Sequence, residues 1–181
     1  RDTASSQAEV GARTVVTYAV TNGTVAKVTS SGFTTASSGS GALSSSVPVV
    51  FGAELFGVVY FADGASTKKW TASTNAVSTW TPSAGSLPVD GGNEPRLIET
   101  WRGRIVQSGV STDPHNWYMS KVGDATNWNY APATPTATQA VAGNNADAGK
   151  STDIVNAMCP YSDDILLFFG DHSIYQMTGD P

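Results

Sequence analysis

The stretch "WRGRIVQSGVSTDPHNWYMSKVGDATNWNY", residues 101–130, holds three tryptophans, two tyrosines and a histidine among residues that favour strands. "RGR" predicts a tight turn between a strand that ends at Trp101 and a second, apolar strand, "IVQSG". A longer loop, "VSTDPHN", then leads to a third strand, "WYMSKVG". This order of strand, turn, apolar strand and further strand decides the fold class, because it recurs along the chain.

The preceding segment, "VPVVFGAELFGVVYFADGASTKKWTASTNAVSTWTP", repeats that order. It predicts strands over residues 49–51 and 55–62 with a turn at 52–54, a third strand that ends at Trp70 and a fourth over 76–80. The following segment, "DIVNAMCPYSDDILLFFGDHSIYQMTG", predicts strands over 154–158, 165–169 and 174–178. Both segments therefore carry the same unit as residues 101–130.

The beginning of the chain predicts a hairpin. Asn22-Gly23 separates two β-rich runs, residues 16–20 and 24–28, and this pair is the strongest short-range hairpin signal. The next segment, "SGFTTASSGSGALSSS", is rich in serine and glycine, which predicts a flexible connection and the best domain boundary. Helical apolar stripes are nearly absent.

The middle strands of the three units are centred near Val58, Val106 and Leu167, which are 48 (106 − 58) and 61 (167 − 106) positions apart. Repeats of about 40 to 50 residues with three or four short strands are typical of β-propeller blades. A sandwich or jelly roll also has many short strands, but the repetition favours the propeller.

We therefore predict an all-β fold of β-propeller-like blades, made of short antiparallel strands and forming part of a larger propeller. The predicted units are residues 1–46 (a hairpin and the Ser/Gly-rich connection), 47–94 (a blade-like repeat), 95–140 (a blade-like repeat) and 141–181 (a loop and partial blade). The chain begins with Arg1 rather than Met, so we expect an internal fragment or a processed product.

Composition narrows the function. Ten Lys and Arg against fifteen Asp and Glu give a net charge of −5, which argues against an open basic surface for nucleic acid. Only 14% of residues are charged, which suits a protein whose surface is covered by partners. The single cysteine, Cys159, excludes an internal disulfide and is expected to be a small buried residue. No apolar run is long enough to span a bilayer.

The candidate site residues are Asp113, His115, Asn116, Trp117 and Trp128. The tryptophans fall near strand ends, which favours packing between sheets over stacking on sugars. His115 beside Asp113 could act as a base, but Asp-Pro-His-Asn is more typical of a turn.

The remaining polar residues indicate no chemistry. Asp163, Asp164 and Asp171 suit hairpin turns better than a glycosidase pair, and His172 lacks a partner at metal-ligand spacing. We find no nucleophile elbow, phosphate loop or dinucleotide motif. We therefore predict no catalytic residue, no metal and no cofactor, and expect a protein that is not an enzyme.

Three segments, "ETWRGRIVQSG", "DPHNWYMSKVGDATNW" and "DDILLFFGDHSIYQMTGDP", carry a resemblance to a known family. Residues 95–181 resemble the propeller-like repeats of tailed-phage virion proteins, especially the tail tubular or nozzle proteins of podoviruses. The resemblance implies a structural subunit in the virion tail, present in several copies arranged as a ring. Its implied partners are neighbouring tail or neck proteins, and DNA would pass through the ring without being read.

The expected function is accordingly that of a scaffold and genome conduit in a phage tail, with residues 110–116 and 131–151 as the loops that contact partners. The alternative is a carbohydrate-binding propeller, either a receptor-binding tail part or a lectin. In that case Trp117, Tyr118 and Trp128 would stack on sugar, and Asp113 or Asn116 would accept hydrogen bonds from hydroxyl groups. The alternative requires these side chains to be exposed on one face.

Overall fold

The computed structural model describes residues 15–38 and 42–179. Every regular element in this part of the chain is a β-strand, which confirms the predicted all-β fold. The strands, numbered in chain order, are β1 (Tyr18–Thr21), β2 (Thr24–Thr29), β3 (Gly32–Thr35), β4 (Ser37–Ser38), β5 (Phe51–Leu55), β6 (Val58–Ala62), β7 (Lys68–Thr71), β8 (Ala76–Thr79), β9 (Ala84–Gly85), β10 (Leu97–Trp101), β11 (Arg104–Val110), β12 (Asp113–Met119), β13 (Asn127–Trp128), β14 (Val141–Ala142), β15 (Ala157–Ser162), β16 (Ile165–Phe169) and β17 (Ile174–Thr178). These residues include no helix that has the length and apolarity for crossing a membrane.

The strands form small sheets that follow one another along the chain. Sheet I has the order β1-β2-β3, sheet II β4-β8-β7-β6-β5, sheet III β10-β11-β12-β14 and sheet IV β15-β16-β17. Consecutive strands within these sheets pair antiparallel, as the blades of a propeller do. Three pairings of short strands cross the unit boundaries expected from the sequence, because β4 belongs to sheet II, β14 belongs to sheet III and β9 pairs with β13.

Sheets II and III also share a pattern in their short parallel pairs. The strand β4 precedes β5 in the chain and pairs with β8, whereas β9 precedes β10 and pairs with β13. In both cases the short strand before the first antiparallel strand of a sheet pairs in parallel with the strand that follows the third. In sheet II the third antiparallel strand is β7, and in sheet III it is β12. The first antiparallel strands of the two units begin at Phe51 and Leu97, 46 positions apart (97 − 51). This spacing lies within the range typical of propeller blades.

The first hairpin of sheets I, II and III has the same kind of turn. Asn22-Gly23, Phe56-Gly57 and Arg102-Gly103 each join two strands, and all six residues have positive φ, from 47° to 78°. Positive φ at both positions is the requirement of a type I′ turn, whose twist matches that of the strands. Phe56 is unusual in this role, since a bulky residue rarely adopts this conformation, and its side chain is 76% exposed.

Two expected turns lie elsewhere in the structure. Residues 52–54 belong to β5, and the chain turns instead at Phe56-Gly57. The segment 110–116 was expected to be a loop, yet Val110 ends β11 and pairs across a two-residue turn with Asp113, where β12 begins. The carbonyl oxygens of Pro114 and His115 accept hydrogen bonds from the backbone of Val155 and Ser151, which holds the segment extended.

Two further boundaries differ from the sequence prediction. The Ser/Gly-rich segment contains β3, because Phe33 pairs with Val28 and extends sheet I, so that part is not a flexible connection. Residues 39–41 of this segment lie outside the described residues. The strand expected over 154–158 is displaced to β15, where it pairs with β16 through Met158 and Phe168.

Side-chain alternation packs the sheets against each other in chain order. In β6, Val59 and Phe61 belong to the cluster shared with sheet I, whereas Tyr60 and Ala62 belong to the cluster shared with sheet III. Successive side chains of a strand point to opposite faces, so a strand between two sheets must be apolar at every position. This explains why the "VVYFA" run is continuous rather than alternating.

Sheet III repeats this arrangement one step along the chain. Ile98 and Ile105 face the cluster with sheet II, whereas Leu97 and Val106 face the cluster with sheet IV. The first strand of sheet III, β10, contacts the first strands of both neighbours, β5 and β15. Equivalent strands of successive sheets therefore lie side by side, as they do around the axis of a propeller.

A buried arginine connects sheet III to the loop that precedes β14. Arg104 is 0% exposed and donates from Nη1 to the carbonyl oxygens of Ser120 (2.8 Å) and Gln139 (2.5 Å). Its Nη2 donates to the carbonyl oxygen of Ala137 at 3.2 Å. The planar guanidinium suits this role because it can bind several carbonyl groups at fixed angles.

Replacing this arginine tests its structural role. Arg104→Met removes the donor shared by three carbonyl groups, of which that of Ser120 is buried, so we expect the free energy of unfolding to fall by about 3 kcal/mol. Arg104→Lys keeps the charge but not the fork, and we expect an intermediate loss. Chemical denaturation followed by tryptophan fluorescence measures both, with Arg102→Lys in the adjacent, partly exposed turn as the control. If Arg104→Met were as stable as the wild type, the hydrogen bonds of Arg104 would not stabilise the fold.

Candidate functional site

All five tryptophans are buried, at most 3% exposed, and each indole N–H has a hydrogen-bond acceptor. The donor and acceptor pairs are Trp70 to Asn75 Oδ1 (3.0 Å), Trp80 to the carbonyl of Ala125 (3.0 Å), Trp101 to that of Ser162 (2.9 Å), Trp117 to that of Gly149 (3.0 Å) and Trp128 to that of Ala125 (2.9 Å). The large apolar rings fill the gaps between sheets while their one polar group stays paired. The packing role expected from the sequence is thus what the structure contains.

This burial bears directly on the carbohydrate alternative. Stacking on sugar requires the rings of Trp117 and Trp128 to be exposed on one face, but they are 3% and 0% exposed. Trp128 instead packs edge-on against Trp80, with ring centroids 5.6 Å apart. The exposure that the alternative requires is therefore absent for both tryptophans.

The structure brings four of the five predicted residues together. Asp113, His115, Asn116 and Trp117 lie on β12, whereas Trp128 lies in the separate core between sheets II and III. The segment is a strand rather than the expected type I turn, because long-range partners hold it. The backbone carbonyl of His115 accepts from Ser151, 36 positions later in the chain (151 − 115).

Asp113, the first residue of β12, is the centre of a polar network in sheet III. Its carboxylate oxygens accept from Lys150 Nζ at 2.9 and 2.8 Å, from Asn116 Nδ2 at 2.9 Å and from Tyr118 Oη at 3.3 Å. Asn116 is itself buried, and its Oδ1 accepts from the backbone N–H of Trp117. The carboxylate is therefore fully engaged in structural contacts.

The network shifts two pKa values. Burial acts to raise the pKa of the Asp113 carboxyl, but hydrogen bonds from Lys150 and Asn116 and the charge of Lys150 outweigh it, so this pKa lies below its usual range. Burial and the neighbouring Asp113 charge raise the pKa of Tyr118 to about 12. At neutral pH the carboxylate is charged and the phenol is neutral, which suits a fixed ion pair and not a proton-transferring base.

A cleft of about 460 Å³ lies beside this network, between the loop of residues 147–151 and β17. Trp117, Phe168 and Met177 line its apolar part, and Lys150 lies at its rim, where it is bound to Asp113. Lys150 was not singled out by the sequence analysis, although it is the one lysine or arginine after residue 121. The cleft adjoins the interface between sheets III and IV, because Trp117, Phe168 and Met177 belong to the core that the two sheets share.

Sheet IV and the segment before it carry an acidic cluster and the single cysteine. Ligand atoms of Asp153, Asp171 and His172 lie within 4.8 Å of one another. The backbone N–H of His172 donates to Asp153 Oδ2 at 2.7 Å and lowers the pKa of that carboxyl; the bond joins the segment before β15 to the turn between β16 and β17. Cys159 was expected to be buried but is exposed, because it lies on the face of β15 opposite to the one that packs on sheet III.

Comparison with known proteins adds no relative. No protein-family model matches the chain, and no curated protein shows significant similarity to it. The class of the molecule is therefore defined by its own geometry, which is that of an all-β protein made of small antiparallel sheets stacked in chain order.

The ion pair at Asp113 predicts a specific titration behaviour. The Asp113 pKa is lowered, so the pair contributes stability above the ordinary value of 3.8, and this contribution is lost as the pH falls through the lowered pKa. In Lys150→Met the cation no longer opposes the effect of burial, and we expect the carboxyl to titrate at higher pH. Carbon NMR of the labelled carboxyl measures the midpoint.

A lysine at the other end of β12 provides the control. Lys121→Met removes the same charge about 20 Å away, the length of the strand, and should leave the Asp113 midpoint unchanged. An Asp113 midpoint that does not move in Lys150→Met would show that the ion pair is not formed in solution.

Proposed function

We propose that this protein is a structural subunit of a virion, namely a multi-copy component of a phage tail. The nozzle, tail tube or neck is the position that the resemblance of residues 95–181 implies. Its role is mechanical: it forms part of a rigid ring that holds neighbouring tail proteins and surrounds the path of the genome. This role requires no catalysis and no cofactor.

The observation that carries the proposal is the internal use of the aromatic residues. All five tryptophans lie between sheets with their N–H groups bonded within the chain, so they stiffen the stack rather than face a ligand. Asp113, a candidate partner or glycan contact in the sequence, is likewise held by Lys150, Asn116 and Tyr118. A side-chain inventory of this kind suits a scaffold better than an enzyme or a lectin.

Charge supports the same role. The net charge is −5, and only 14% of residues are charged. A conduit for DNA must not bind phosphates tightly, because protein–DNA affinity comes largely from lysine and arginine contacts to the backbone. A low density of surface charge also suits a subunit that is covered by neighbours in an assembly.

Imaging of intact particles tests the proposal. Tailed particles from the source of this chain would be labelled with antibody fragments raised against it and examined by cryo-electron microscopy. We expect the label and a ring of equivalent density at the tail, and labelling should disappear when the fragments are first absorbed with the purified chain. Absence of the chain from purified particles would overturn the proposal.

A further inference from the structure

Sheet IV has one covered face and one open face. Leu166, Phe168 and Met177 belong to the core shared with sheet III. Their neighbours Leu167 and Phe169 alternate to the opposite face, because successive side chains in a strand point in opposite directions. Register places Cys159 and Gln176 beside Leu167, and Ile174 beside Phe169, on this open face. Ile174 is 67% exposed there.

The open face has the sequence of a face that is meant to be covered. The central strand of sheet IV, "ILLFF", is apolar at every position, like "VVYFA" in sheet II. Both faces of the sheet II strand are buried, one against sheet I and the other against sheet III. Antiparallel sheets with one solvated face normally alternate apolar and polar residues, and β16 does not.

Sheet I has an open face at the opposite end of the stack. Val25 points into the core shared with sheet II, so Val28, three positions later, lies on the other face. Val28 pairs directly with Phe33, and these side chains are 36% and 71% exposed. Ala19 and Ala26 pair on the same face and leave it flat. The described sheets thus end in two faces that carry apolar side chains beside threonine or glutamine and that have no partner within sheets I to IV.

We propose that the open face of sheet IV binds the open face of sheet I of a second copy of this chain, head to tail. Inside the stack, sheets II and III each pack one face on the preceding sheet and the opposite face on the following sheet. The head-to-tail contact repeats that geometry, whereas two sheet IV faces packed together would not. Such a heterologous contact generates a ring when the rotation closes. The inference rests on the proposed function, since it names the partner that builds the ring.

Complementary variants test the contact on the complete chain. Leu167→Lys disables the sheet IV face but leaves the sheet I face intact, and Phe33→Asp does the reverse. By sedimentation velocity we expect the wild-type chain to associate as its concentration rises, and each variant alone to associate at least about tenfold more weakly. Mixing the two variants should restore one competent interface and give a one-to-one dimer that grows no further.

Two more variants protect the test from folding defects. Ile174→Lys changes a mostly exposed side chain on the sheet IV face and should behave like Leu167→Lys. Ser73→Lys adds the same charge in the exposed turn between β7 and β8 of sheet II, which contributes to neither open face, and should associate like the wild type. Circular dichroism and thermal unfolding confirm that each variant is folded before the comparison is made.

Two results would overturn the inference. One is a wild-type chain that remains monomeric at every concentration measured. The other is self-association of Phe33→Asp that Leu167→Lys lacks, which would indicate two sheet IV faces packed together. Neither result depends on the particle images, so a labelled ring at the tail together with a monomeric chain would overturn only the head-to-tail contact.

Discussion

Burial of both faces of sheets II and III is the constraint on which the rest of the structure depends. A sheet that is covered on both sides must be apolar at consecutive positions, and it must have a neighbour on each side. Tyr60 and Phe61 meet the first requirement in one strand, where they face different sheets. The second requirement places the sheets in a series that follows the chain. Without a neighbour on each side, such a sheet would expose apolar side chains to water.

The tryptophans make this stacking specific. Apolar burial alone is non-directional, but a buried indole N–H must find an acceptor at a defined place. Trp101 in sheet III donates to the carbonyl of Ser162 in sheet IV, and Trp80, after β8 of sheet II, donates to the carbonyl of Ala125 in the segment between β12 and β13. These bonds fix how one sheet lies on the next. Sliding of one sheet past the next would break them.

The sequence predicted hairpin turns correctly where the two turn residues themselves favour the turn conformation. Asn22-Gly23 forms its hairpin as predicted, because both residues readily adopt positive φ. Phe56-Gly57 was missed, because phenylalanine is rare in that conformation and only pairing of the flanking strands makes it necessary. The turn was therefore predicted at residues 52–54, which are part of β5 in the structure.

The sequence was insufficient where distant residues decide the structure. Residues 113–116 have the local composition of a turn, but contacts from Lys150 and Ser151 hold them as a strand. Cys159 was expected to be buried, yet it is exposed on the open face of sheet IV. The all-β class and the packing role of the tryptophans could be inferred from residue types. The network around Asp113 could not, because its lysine comes from a loop 37 positions away (150 − 113).

Hydrogen exchange of the five indole N–H groups tests the central claim most directly. Each N–H should give a separate NMR signal that exchanges with solvent far more slowly than free indole, by a factor on the order of a thousand or more, because exchange requires opening between sheets. Rapid exchange at Trp117 and Trp128 would contradict the account, since it would mean that these rings face solvent and are free to meet a ligand.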